Sequence, residues 1–324
     1  MRKYGLLVTA GIAIAALYVF NASWRVPSEG PGPRLISHRG VHQTYHREEL
    51  KHDTCTARRI DPPTHDYIEN TIRSMRAAFA AGADVVELDV HPTTDGLFAV
   101  MHDWTLDCRT DGTGETRGHD LAYLKTLDVG YGYTSDGGRT FPLRGSGVGL
   151  MPELTEVFSA LPEGRFLVNF KSREKREGDM LASLMTGHPD RRAAVWGVYG
   201  GDEPTFRVKE LMGEGPRAWS RRSVTGCLGG YIVSGWTGYI PDACRNTVVA
   251  IPLNVAPWLW GWPNLLVRRL RAAGSEVVLL GPFSRGDPGA AGIDTLEQLA
   301  QVPPGFSGYL WTNEIEIIGP AAKR

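Results

Sequence analysis

The stretch "VVELDVHPTTDGLFAVMHD", residues 85–103, sets Glu87 and Asp89 inside an apolar strand pattern and closes a second apolar run on His102 and Asp103. Side chains alternate along a strand, so Glu87 and Asp89 share one face, about 6–7 Å apart along the backbone. One cation can bridge such a pair. Outward from this stretch, "RLISH", "ADVVELDV", "LFAVMHD", "RFLVNFK", "AAVWGVY", "TVVAIPL", "SEVVLL" and "GYLWTN" are apolar runs bounded by Gly, Pro or polar residues. They read as strands covered on both faces. Helical patterns fall between them: "ENTIRSMRAAFAAG", with Asn70 as N-cap, Ile72, Met75 and Phe79 at helical spacing and Gly82 as terminator, then "PELTEVFSALP", "PNLLVRRLRAAG" and "DTLEQLAQV". This alternation over residues 34–319 predicts one parallel α/β domain, a (β/α)8 TIM barrel. An open doubly wound sheet is the alternative, lowered because no Gly-rich dinucleotide fingerprint follows the first strand.

Two polar segments break the rhythm, residues 41–66 after the first strand and the Gly/Thr-rich residues 104–151 after the third. Both leave the barrel on the C-terminal side of its strands, where loops build active sites, so both are expected to wall or cover the site. At the other extreme, "MRKYGLLVTAGIAIAALYVFNASW" places Arg2 and Lys3 before an uncharged apolar run. Residues 1–24 therefore read as a signal or an uncleaved membrane anchor, with the anchor favoured because small-x-small cleavage residues are poor, and residues 25–33 as a Pro/Gly linker. Export follows from either reading, with the domain facing the periplasm or exterior, or secreted.

The 324 residues are 42% hydrophobic and 22% charged with net charge −1, so the chain has no electrostatic reason to bind nucleic acid. No protein partner is indicated either. Cys55, Cys108, Cys227 and Cys244 form an even set in an exported chain, compatible with two disulfides in any of three pairings. Cys55 with Cys108 and Cys227 with Cys244 is the expected choice. With no CxxC spacing, structural zinc has little support.

Strand ends now align: His38 and Arg39 after the first, Glu87 and Asp89 in the second, His102 and Asp103 after the third, Asn169 and Lys171 at the fourth. Paired carboxylates without a Cys/His cluster suit a hard divalent cation, Mg²⁺ or Ca²⁺. Two histidines supply groups that titrate near neutrality, and Arg39 and Lys171 supply positive charge for an anion. The sum points to metal-assisted phosphoryl chemistry. Asp103 can orient His102, ligate a metal or cap a turn, and Glu69 can hold Arg39 or favour its own helix N-terminus. His42, His46, His52 and His65 in the first insertion read chiefly as solvated loop residues.

In this order, "HRG", "ENT", "ELDV", "HD", "GTG", "MPELTEVF" and the strand-four lysine resemble the glycerophosphodiester phosphodiesterase family, from Leu35 to about Lys171 and again at "GYLWTN". The resemblance implies a divalent-metal-dependent TIM-barrel hydrolase that cleaves glycerophosphodiesters to sn-glycerol 3-phosphate and an alcohol. It implies His38 and His102 as the acid/base pair, Glu87 and Asp89 as metal ligands, and Arg39 and Lys171 as phosphate-side cations. Asn169 stands where the family places a third metal-binding Glu, and a neutral amide there removes one charge from the site. A sphingomyelinase D-like lyase acting on lysolipid-like substrates and releasing a cyclic phosphate, and a binding protein weakened in catalysis by Asn169, are the alternatives. "APWLWGWP", residues 256–263, is a candidate for bilayer contact, or for core packing at a helix start.

Overall fold

In a computed structural model of the chain, residues 2–28, 30–51, 54–213, 215–285 and 291–323 are described. The strands are β1 (Arg34–Ser37), β2 (Val85–Pro92), β3 (Phe98–Val100), β4 (Phe166–Phe170), β5 (Val195–Gly200), β6 (Arg217–Ala218), β7 (Val248–Pro252), β8 (Glu276–Leu280) and β9 (Tyr309–Thr312). They pair in the order β6-β5-β4-β2-β1-β9-β8-β7, all parallel, with β3 attached to β2 outside that path. Eight parallel strands thus make a nearly closed barrel. Between its two ends, β6 and β7, the Thr247 hydroxyl donates to the Ala218 carbonyl at 2.9 Å.

One expected barrel strand lies elsewhere. "LFAVMHD" forms β3, antiparallel to β2 with Val90 opposite Val100, and so hangs from the barrel as a hairpin. A parallel crossover needs a dozen or more residues, whereas the five residues Thr93–Leu97 carry a tight turn closed by Thr93 and Leu97 backbone bonds. The missing barrel strand is β6, two residues long and without any apolar run to announce it. The second insertion consequently leaves from the β2–β3 hairpin rather than from a third barrel strand.

Alternation in β2 explains how the interior is built. Val85 joins Ile36, Leu167, Trp196, Trp219, Val248, Val278, Tyr309 and Trp311 in an apolar plug, while Val86, Leu88 and Val90 pack outward in the core shared with the helices. Glu87, Asp89 and His91 continue the inward face above that plug, all fully buried. The two insertions share a separate small core, with Ala57, Ile60, Leu106, Leu124, Leu127 and Tyr133 among its members. They cover one rim together, as expected of loops on that face.

Both expected disulfides form, Cys55–Cys108 and Cys227–Cys244. The first staples the two insertions to each other. The N-terminal segment forms helix α1 (Arg2–Phe20), with Ile12, Ile14 and Tyr18 exposed. Among the described residues no helix is long and apolar enough to cross a membrane, so the expected anchor gains no support. After α1, Asn21 donates to the Trp236 carbonyl at 3.0 Å and accepts from Arg269 at 3.0 Å, and Ser23 accepts from the Asn264 N–H; within the expected linker, residues 25–33, the Val26 carbonyl accepts from the Asn264 side chain. At the candidate bilayer stretch, Trp258 is exposed, whereas Trp262 packs on Phe306.

A Cys55→Ala/Cys108→Ala double variant is expected to lose about 3–4 kcal/mol of stability, because the bridge closes a loop of 53 residues. Urea denaturation should show a lowered midpoint relative to the unmodified chain, and an unchanged midpoint would contradict the stapling role.

Candidate active site

The turn after β1 places the first pair of residues. His38 continues the ladder by donating its backbone N–H to the Thr312 carbonyl at 3.0 Å, and the chain then turns through Arg39 and Gly40 at φ of 58° and 79°. A Cβ on Gly40 would lie 2.5 Å from Ser74 Oγ and 2.9 Å from the Ser74 backbone, so glycine alone fits beside helix α2 (Ile72–Ala80). Just before α2, Asn70 has φ of 58° and the N-cap is Thr71, whose side chain accepts from the Ser74 N–H. Asn70 thus does not cap the helix. Asn tolerates this left-handed conformation, which frees its amide to reach β2.

That amide holds Asp89 from two sides, donating from Nδ2 to Oδ2 at 3.0 Å and accepting the Asp89 backbone N–H at 3.1 Å. Arg39 Nε lies 3.2 Å from the same Oδ2. Asp89 Oδ1 accepts from Asn169 Nδ2 at 2.8 Å and lies 3.4 Å from Lys171 Nζ. Register explains the Asn169 contact, since Asp89 and Asn169 are directly paired across β2 and β4. Burial works to raise the Asp89 carboxyl, but Lys171 and Arg39 overcome it and hold the group well below the usual range.

Glu87 has a different environment. Its Oε1 accepts from the Tyr199 hydroxyl at 2.7 Å and its Oε2 from the Arg39 backbone N–H at 3.1 Å, with His38 Nε2 3.8 Å away. Burial, aided by the Asp89 charge, pushes this carboxyl up to about 8. Arg39 also donates to Glu69 at 3.0 Å, so the expected Glu69–Arg39 pair is present. Glu69 Oε2 meets Arg109 at 3.0 Å.

Both expected histidines are gathered at this rim, each with Nδ1 held by an acceptor. His38 Nδ1 faces Asn313 Oδ1 at 2.6 Å, and Asn313 in turn donates from its side chain and backbone to Asp294 at 2.8 and 2.7 Å. His102 Nδ1 faces Asp103 Oδ1 at 2.7 Å. Asp103 Oδ2 accepts from Arg109 Nε at 2.8 Å, and Arg109 is fixed by Tyr133 and Thr56, both at 2.6 Å. A proton on Nδ1 suits both arrangements and leaves Nε2 with its lone pair. Burial lowers both imidazoles below the ordinary 6.5, helped by Arg39 and His42 at His38 and by Arg39 and Lys171 at His102.

Several partners carry no simple sequence signal. Tyr199 and Asn313 sit on distant strand ends, and His91 is buried on β2 with Nε2 3.4 Å from the His102 carbonyl. Arg109 is placed by the disulfide that joins its neighbour Cys108 to Cys55. Asn70 was visible as part of "ENT". The loop histidines do not converge: His42 is buried against Gln43, His65 approaches Gln43, and His46 lies 3.6 Å from Asp61, while His52 lies outside the described residues.

The expected divalent-cation site, Glu87 with Asp89 and Asn169, is not what these side chains form. All four carboxylate oxygens of the pair face N–H or O–H donors, and Asn169 turns its NH2 group, not its oxygen, toward Asp89. Among the described residues no group of three or more His, Cys, Asp or Glu is arranged to hold a metal ion. A hard cation seeks converging oxygens, and here the donor set already compensates the charge with nitrogen.

Residues 38–191 match the model of the glycerophosphoryl diester phosphodiesterase family. That segment is 154 of the 324 residues, just under half of the chain. The matched segment runs from His38 through Lys171 and contains every expected site residue. A glycerophosphodiester phosphodiesterase of Caldanaerobacter subterraneus subsp. tengcongensis is 38% identical over 105 residues, 32% of this chain and 39% of that protein. Human glycerophosphodiester phosphodiesterase 1 is 51% identical over 51 residues, 16% of this chain and 15% of its own length. The chain therefore spans well under two thirds of these relatives. In three dimensions the fold extends further: the glycerophosphoryl diester phosphodiesterase domain of a Mycobacterium tuberculosis protein superposes with a TM-score of 0.63 at 16% identity, covering 90% of this chain and 99% of that one. An Oleispira antarctica phosphodiesterase in complex with the product sn-glycerol-3-phosphate gives 0.55 at 18% identity, covering 90% and 96%.

If Asn313 sets the His38 tautomer, Asn313→Ala should lower kcat on a diester substrate by about 10-fold or more while leaving KM nearly unchanged. Steady-state kinetics decide the point, and equal loss through KM alone would place Asn313 in substrate binding instead.

Proposed function

We propose that the protein hydrolyses glycerophosphodiesters to sn-glycerol 3-phosphate and an alcohol, as a phosphoric diester hydrolase. The observation that carries this reading is the pair His38 and His102, on separate elements of one rim, each with Nδ1 anchored by a side-chain oxygen, beside the Glu87–Asp89 pair and Lys171. The match of residues 38–191 to that family's model supports it, as does the product held by the similarly folded Oleispira protein.

Roles follow from the anchors. His102 is backed by the Asp103 carboxylate, which stabilises an imidazolium once formed, and so suits the base that takes the proton of the glycerol 2-hydroxyl. The freed oxygen attacks phosphorus, the bond from phosphorus to the alcohol breaks, and the departing oxygen takes a proton from His38. His38 is left as the acid: its ring is held at Nδ1 by the Asn313 side-chain oxygen, and its Nε2 donates when the ring is protonated. Water then opens the cyclic phosphate with the two histidines reversed, which restores both protonation states. Attack from within the substrate avoids the entropy of bringing two molecules together, worth roughly 7 kcal/mol or more when aligned. Lys171 faces the anionic phosphoryl oxygens, whereas Arg39 is largely spent on Glu69 and Asp89. The two disulfides support an exported location for this reaction.

Phosphorus-31 NMR of the full chain with glycerophosphocholine should show glycerol 3-phosphate forming. His102→Ala and His38→Ala should each cut the rate by about 10²–10⁴-fold, and full activity in either would falsify its assignment. Cyclic phosphate that accumulates instead would favour the lyase reading.

The pH profile has a definite sign. The base must be neutral and the acid protonated, and both imidazoles are lowered from 6.5, so activity should fall on the alkaline side through a group titrating below that value. A maximum of kcat/KM below pH 6.5 is expected. An optimum well above neutrality would contradict these roles.

A further inference from the structure

The β4 position that pairs with Asp89 decides what kind of positive charge the site uses. Asn169 Nδ2 donates to Asp89 Oδ1 at 2.8 Å, and its Oδ1 is turned against Gly200, where a Cβ would come within 2.4 Å of it. Gly200 has φ of 108° and would also bring a Cβ to 2.3 Å from the Phe170 carbonyl, so the backbone admits no side chain there and leaves room for this amide orientation. Rotating the amide to present oxygen toward the site would replace a hydrogen bond by two facing acceptors. The remaining Asp89 oxygen is occupied by Asn70 and approached by Arg39, and both Glu87 oxygens accept from Tyr199 and Arg39. Two carboxylates saturated by nitrogen and hydroxyl donors are a poor ligand set for a hard cation, which binds oxygens and tolerates no ammonium among them.

Lys171 supplies what such a cation would otherwise supply. Its ammonium lies 3.4 Å from Asp89 Oδ1 with its side chain 21% exposed, so one side is held by the buried carboxylate and the other opens to the rim. An ammonium has three N–H donors, and Asp89 engages one direction only. The Asn169 amide keeps the Asp89 charge available to hold the lysine rather than a metal.

We propose that this chain cleaves its phosphodiester without a divalent cation, with the Lys171 ammonium as the electrophilic group at the phosphoryl oxygens. The proposal rests on the phosphodiesterase reading given above. In the step itself no co-reactant is added: the 2-hydroxyl proton passes to one histidine, the leaving oxygen receives a proton from the other, and Lys171 compensates charge without exchanging a proton.

The test uses the full chain stripped with EDTA and dialysed into metal-free buffer. Turnover of glycerophosphocholine, followed by phosphorus-31 NMR, should stay within about twofold whether EDTA, Ca²⁺ or Mg²⁺ is present, and loss in EDTA that Ca²⁺ or Mg²⁺ restores overturns the proposal. Independently of any activity, isothermal titration with CaCl₂ and with MgCl₂ should give no saturable binding to the wild-type chain, and saturable binding there overturns it as well. Asn169→Glu, which adds the third carboxylate, should gain saturable binding of one of these cations. Lys171→Gln should lose turnover by about 10²-fold or more with no rescue by either metal, while Lys171→Arg should recover part of it. If the wild-type chain turns over no diester under any condition, the phosphodiesterase reading fails, and the titration alone still decides whether the site takes a divalent cation.

Discussion

Asp89 is a fully buried carboxylate, and the site is arranged around keeping it charged. Taking an ion of this kind out of water costs several kcal/mol even after relaxation, so it survives only with charge and hydrogen bonds brought to it. Four side chains from three separate places provide them: Arg39 from the turn after β1, Asn70 from the entry to α2, and Asn169 and Lys171 from β4 and the loop beyond it. Each contact fixes a loop as well as an atom. The left-handed backbone at Arg39 and Asn70 is the local cost of bringing those side chains inward, and the shared carboxylate offsets it.

The same logic reaches outward through Arg39 and Glu69. Glu69 joins Arg39 to Arg109, and Arg109 joins Asp103, which holds His102. The His102 imidazole, just beyond β3, is thereby tied to a carboxylate on a barrel strand through alternating charges. The Cys55–Cys108 bridge and the shared apolar core of the insertions hold the outer end of that chain. Loop residues gain the positional accuracy of a strand in this way, which a long polar insertion would not have by itself.

Legibility in the sequence followed the physics of each element. Strands buried on both faces announce themselves by apolar runs, so seven of the eight barrel strands and the inward pair Glu87 and Asp89 could be read directly. β3 was misplaced because an apolar run shows that a segment is buried and not which neighbour it pairs with, although the five-residue turn at Thr93–Leu97 was too short for a crossover. β6 was missed because two residues carry no periodicity. His38 and His102 stand next to recognisable strand ends, whereas Tyr199, Asn313 and Arg109 reach the site from more than a hundred residues away or through a disulfide, which no local pattern encodes.

The two histidines also differ in a way that only geometry exposes. Asp103 is an anion and stabilises a proton gained by His102, while Asn313 is neutral and fixes the ring of His38 without adding charge. In the proposed cycle one ring accepts a proton and the other donates one, and the two rings accordingly have chemically unequal supports. Glu87 lies 3.8 Å from His38 Nε2, and its own carboxyl is pushed up to about 8 by burial and by Asp89. The asymmetry therefore begins with the strand pattern itself: two inward carboxylates two residues apart cannot be equally charged, and the one that keeps its charge determines where the cations, and then the histidines, must stand.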